Sequence, residues 1–172
     1  MEVANMMYLT VESFIEDYRN ESAATLKLLN TLTDESLKLE AAPGYRTLGH
    51  LAWHLVPTGG LLNPTGLRVQ YPSENSGPTE SASAIAQSYS ETVEALLEAV
   101  RTQWTDENLQ ETANVYGYSW KNGLTLYIFL KHEIHHRGQL TVLMRQAGLP
   151  ITGVYGPSKE EWAAMGMEAP AY

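Results

Sequence analysis

The segment from Asn122 to Ala147 reads NGLTLYIFLKHEIHHRGQLTVLMRQA, and its pattern decides the fold. Leu124, Ile128, His132, His136 and Leu143 recur at helical spacing, Asn122 can cap the start, and Gly148 followed by Pro150 stops the run. The spacing therefore predicts one long helix. At about 100° per residue, Thr125, Ile128, Phe129, Gln139 and Leu143 share the side of His132, whereas Leu126, Leu130 and Ile134 lie roughly opposite. A helix with two apolar sides needs two partners. One side serves a bundle and the other a neighbouring helix or a second subunit, which predicts a homodimer.

Upstream, Thr10 can cap a first helix whose apolar positions, Val11, Phe14, Ile15, Tyr18, Leu26, Leu29 and Leu32, run to the polar cluster Thr31–Asp34. Thr47 opens a second helix through Leu48, Leu51, Ala52 and Leu55, stopped by Pro57 and the pair Gly59-Gly60; it carries His50 and His54. Residues 63–80, rich in Pro, Gly, Ser, Asn and Thr, read as a long surface crossover loop. From about Glu80 to Gln103, Ile85, Tyr89, Val93, Leu96, Leu97 and Val100 mark a third amphipathic helix with Glu91, Glu94 and Glu98 outside. A short helical turn follows at Trp104–Leu109, then an extended loop to Lys121 in which no sheet is expected, and a short helix at Ser158–Ala164 closes the chain. The expected architecture is all-α: one domain over residues 1–172, a four-helix bundle with a long crossover loop and a short C-terminal helix.

Composition narrows the function. Eleven Lys and Arg against 20 Asp and Glu give a net charge of -9, which repels phosphate backbones and anionic membranes, so nucleic acid and membrane surfaces are not expected partners. The absence of cysteine excludes disulfides, thiolate catalysis and Cys-based metal sites. MEVANMMYLT has no leader pattern and Leu126–Leu130 is too short a run to span a bilayer, so a cytoplasmic protein is expected.

All five histidines fall in two segments, Gly49–His54 and His132–His136. Residues four apart on a helix are neighbours on one face, so His132 and His136 can point at one ion. Two imidazoles on a partly apolar stripe otherwise leave ring nitrogens to satisfy from backbone or from Thr and Tyr hydroxyls. A third ligand from the second helix, His50 or His54, would complete the three-ligand set of an open catalytic metal site; spacing does not choose between them. His132-Glu133-x-x-His136 also matches the zincin pattern, with Glu133 as general base. Zincins bind peptide against a sheet edge and take a downstream ligand, yet no strand precedes this helix and only Glu160, Glu161 and Glu168 remain downstream. Peptidase activity is thus the weaker reading, and without it Glu133 is a solvated helix residue. His135, about 60° from His132, suits a role behind the ligands or at the surface. Gly138, mid-helix, suggests close approach of another element. Trp53, Tyr116, Tyr118 and Trp120 are candidate pocket aromatics.

Thr47-Leu-Gly-His-Leu-Ala-Trp-His54, His132-x-x-x-His136-Arg-Gly-Gln-Leu140 and Arg145-Gln-Ala-Gly-Leu-Pro150 together resemble the DinB/YfiT-like superfamily of metalloenzymes, across nearly the whole chain. The resemblance implies that His54, rather than His50, joins His132 and His136 as metal ligands. It also implies an up-down-down-up bundle, frequent homodimers, and a nickel or zinc ion with open positions. Superfamily members include thiol-dependent S-transferases and a thiol-dependent maleylpyruvate isomerase. The expected function is a metal-dependent transferase or hydrolase acting on a small molecule, with a low-molecular-weight thiol as partner; a non-catalytic metal- or ligand-binding bundle is the alternative.

Overall fold

Thr10 stands in extended conformation and its hydroxyl accepts from the Ser13 N–H, which starts α1 (Val11–Leu29). This computed structural model describes residues 7–56, 59–71 and 80–171. Thr47 repeats the device, accepting from the His50 N–H to start α2 (Leu48–Leu55), and Ser81 does so for α4 (Ala82–Gln103). The Pro57 stop, residues 72–79 of the expected crossover and the first six residues lie outside the described residues.

Gly59-Gly60 does not end the helical run as expected. It opens a single-turn helix, α3 (Gly59–Leu62), continued by a 3-10 turn at Asn63–Thr65. Packing of α3 against α5 and full burial of Leu62 outweigh the poor helix propensity of glycine.

The stretch expected as an extended loop is a β-hairpin. β1 (Thr112–Val115) pairs antiparallel with β2 (Tyr118–Lys121), Val115 opposite Tyr118 and Thr112 opposite Lys121. Its first strand lies beside the Asn63–Thr65 turn, and both strands contact the long helix α5 (Asn122–Gln146). Asn122 is the first residue of α5 rather than its cap: its side-chain amide donates to the Asn108 carbonyl and ties the helix start to the turn before the hairpin. Next to it, Gly123 is required by close approach, since a Cβ there would stand 2.2 Å from the Tyr8 carbonyl oxygen. The short C-terminal helix α6 (Lys159–Ala164) carries a reciprocal capping box between Ser158 and Glu161.

The four longer helices close a ring in which α1 touches α4 and α5, and α2 touches the same two. Their inward side chains, among them Phe14, Tyr18, Leu48, Ile85, Leu96 and Leu126, form one contiguous apolar cluster. Of the apolar residues of α5 opposite the histidines, Leu126 and Leu130 are buried in this core, whereas Ile134 is only partly buried. Among the described residues, no helix is long and apolar enough to cross a membrane.

Candidate metal centre

The middle of α5 runs beside α2, and that pairing sets the site. His132 and His136, one turn apart, face the last turn of α2, where His54 stands. His54 Nε2 lies 3.2 Å from both His132 Nε2 and His136 Nε2, and the three donor atoms fall within 4.8 Å of one another. His50 is not part of this group; its Nδ1 is 2.7 Å from the Thr47 hydroxyl at the start of α2.

Metal–nitrogen bonds of about 2.0–2.1 Å at near-tetrahedral angles separate two imidazole donors by about 3.3 Å. The observed spacing fits that requirement. One proton can bridge one Nε2 pair but cannot satisfy three nitrogens aimed at a common point, whereas a single cation can. The cluster could therefore hold a metal ion.

Electrostatics favour neutral rings. Burial, then the neighbouring His136, Arg46 and His132, push His54 down to about 4. His132 is lowered by burial and by His136, His135 and Arg46; His136 is lowered mainly by burial, opposed by its bond to Gln139. Deprotonated imidazoles offer their lone pairs at neutral pH.

Gln139 fixes which nitrogen is offered. Its amide nitrogen is 3.0 Å from His135 Nε2 and its Oε1 is 2.7 Å from His136 Nδ1. In that arrangement His136 Nδ1–H donates to Gln139, leaving His136 Nε2 bare toward the cluster. His135 thus acts on the site through Gln139. The spacing made this legible, since Gln139 is three residues after His136 and four after His135. Gln139→Leu is expected to weaken metal affinity by about ten- to hundred-fold while leaving the fold intact, measured by calorimetric titration with zinc; unchanged affinity would show that the ring needs no such support.

Glu133 is neither a solvated helix residue nor a free base. It is 5% exposed and points into the core, where its Oε1 accepts from Tyr89 Oη at 2.5 Å and Thr25 Oγ1 at 2.8 Å. Burial pushes its carboxyl up, against the lowering hydrogen bonds of Tyr89 and Thr25 and the charge of Arg137. Arg137, 2% exposed, extends the network to Glu21 at 2.6 Å and to the Tyr155 hydroxyl at 3.0 Å. Thr25, Tyr89 and Glu21 come from other helices, and nothing in the local pattern of α5 announced them.

In front of the histidines opens a cleft of about 220 Å³, walled by Leu55, Val56, Leu61, Ile128 and Phe129, with Tyr116, Gly60 and Glu133 also lining it. Of the nominated aromatics, only Tyr116 lines this cleft; Tyr118 stacks on Trp120 along the hairpin, ring centroids 5.8 Å apart. Gly138 meets no close neighbour: an added Cβ would find nothing within 4 Å, because that side of α5 borders a wide groove lined also by Ile134, Val142 and Thr152.

The fold is thus a helical bundle whose three convergent histidines, at an open cleft, could hold a metal ion. The chain belongs to the DinB family, whose model matches residues 6–170. It is 48% identical over 165 residues to the uncharacterized protein YrdA of Bacillus subtilis strain 168, covering 95% of this chain and 99% of that protein. The crystal structure of a DinB-like protein from Bacillus cereus superposes with a TM-score of 0.83 at 42% identity, over 87% of this chain and all of that one. A second DinB-like protein, YjoA of Bacillus subtilis, shares the fold at 22% identity and a TM-score of 0.61, over 81% of this chain and 96% of that one.

Proposed function

We propose that this DinB-family protein is a metal-dependent enzyme acting on a small molecule, with His54, His132 and His136 as ligands to a nickel or zinc ion. The observation that carries the reading is the convergence of three imidazoles at an open cleft, where Glu133 also lines the wall but, among the described residues, only the three histidines bring donor atoms together. Three protein ligands leave a position for a reactant, as catalytic sites do. A cation held by uncharged ligands keeps its charge and lowers the pKa of a bound thiol or water near neutral pH.

The chain's own residues supply the rest. Gln139 holds the His136 ring, the apolar walls exclude water, and the buried Glu133 network fixes the rotation of α5 that aims both histidines. Transfer of a small thiol to an electrophile is the favoured reaction, hydrolysis the next; a cytoplasmic setting, where thiols stay reduced, belongs to the same reading. Metal-loaded protein given glutathione, bacillithiol or mycothiol with monochlorobimane is expected to form the thioether, with chloride leaving, and His54→Ala is expected to abolish turnover. Equal rates in wild type and variant would overturn the assignment and leave a binding bundle.

A further inference from the structure

The hairpin tip holds Tyr116 in a conformation that its residue type resists. Tyr116 and Gly117 form the two-residue loop between the paired Val115 and Tyr118, with φ of 51° and 85°. Such loops favour Asn, Asp or Gly at the first position, because a bulky side chain is strained at positive φ. Tyr116 is the only non-glycine residue with positive φ among the described residues. Packing does little to offset the strain, since the residue is 72% exposed.

The position of the ring supplies a reason. Tyr116 lines the cleft together with all three histidines. Its hydroxyl reaches over Gly60, where an added Cβ would stand 3.2 Å from Tyr116 Oη, so the glycine of α3 makes room for it. Apart from the histidines and Glu133, the rest of the lining, including Leu55, Leu61, Ile128 and Phe129, is apolar. The cleft's 220 Å³ compares with an apolar cavity of about 150 Å³ that accepts benzene.

We propose that Tyr116 recognises the organic body of the ligand: a single ring-sized apolar group, carried on one metal-binding head, that packs between the Tyr116 ring and the Ile128–Phe129 wall. This inference rests on the metal-centre reading above and adds the class of molecule and the residue that selects it. Local strain kept at a ligand-contacting position is a known trade of stability for function.

The test uses the full chain, titrated first with zinc and then with acetohydroxamate or benzohydroxamate, metal-binding heads that differ in a methyl against a phenyl body. Wild type is expected to bind benzohydroxamate about tenfold tighter. Tyr116→Phe should keep that ratio. Tyr116→Asn should bring it to near one, leave acetohydroxamate and zinc affinities unchanged, and raise the melting temperature of the metal-free protein because Asn tolerates the turn. A ratio unchanged in Tyr116→Asn, or a lowered melting temperature, would overturn the role of Tyr116 while the metal centre stands. Failure of wild type to take up zinc would overturn the centre and this assignment with it.

Discussion

Replacing His132 by alanine is expected to lower zinc and nickel affinity by more than the roughly hundred-fold that losing a supporting residue costs, because it removes one of three donors outright. The fold should survive. His132 is exposed at the cleft, so truncation opens no core cavity, and surface changes of this kind usually stay within about 0.5 kcal/mol. His50→Ala is the matched control: its ring is bonded to Thr47 rather than to the cluster, and metal affinity should not change. Calorimetric titration of the three proteins, with circular dichroism for the fold, decides the matter; His132→Ala binding as wild type does would remove the centre.

The same histidines set an acid limit. Their folded-state pKa values lie below the ordinary 6.5, His54 at about 4, so the unfolded chain takes up protons first as pH falls. Stability of the metal-free protein is therefore complete above pH 6.5 and is lost progressively toward pH 4. Partial exposure of the rings keeps the loss modest. Melting curves across that window should fall less steeply for His54→Ala than for wild type.

Arg137→Ala is expected to cost about 3–5 kcal/mol, since it strips the counter-charge from a buried pair. At about 2–4 °C per kcal/mol for a chain of this size, the melting temperature should drop by about 10 °C. The Arg137 and Glu21 side chains are 3% and 13% exposed, and the guanidinium also donates to the Glu21 carbonyl and the Thr25 hydroxyl. Its loss leaves two acids, Glu21 and Glu133, facing the same interior without a cation. Arg137→Lys should recover only part of the stability, because a point charge cannot reproduce the fork of donors. A change below about 1 kcal/mol on Arg137→Ala would mean that water replaces the guanidinium at no cost.

Helical periodicity made α1, α2, α4 and α5 readable, with the caps Thr10 and Thr47 of the first two, because each buries a stripe that recurs every three to four residues. The hairpin escaped for the opposite reason. Its two strands bury only Val115 fully, so no alternation of apolar and polar residues survives, and the loop carries Tyr where Asn or Gly would have signalled a turn. Asn122 looked like a cap because the chain that ties it down, at Asn108, is distant in pattern though near in space. In the site, the pairing of His132 with His136 was visible in one helix, and the choice of His54 came from family resemblance. The burial of Glu133 was not legible at all. Its partners Thr25 and Tyr89 are 108 and 44 residues away, and an acid beside a histidine on an amphipathic helix ordinarily faces water.

The cleft divides its parts by origin. The three nitrogens come from helices locked into the bundle core, whereas Gly60, Leu61 and Tyr116 come from a four-residue turn and a two-residue hairpin loop between those helices. Connections accept insertions and substitutions that core helices reject. Lengthening the hairpin by two residues, or exchanging its tip, would reshape the cleft without disturbing the three histidines. On this plan the contour of the cleft can change through its connectors while the histidine cluster stays fixed.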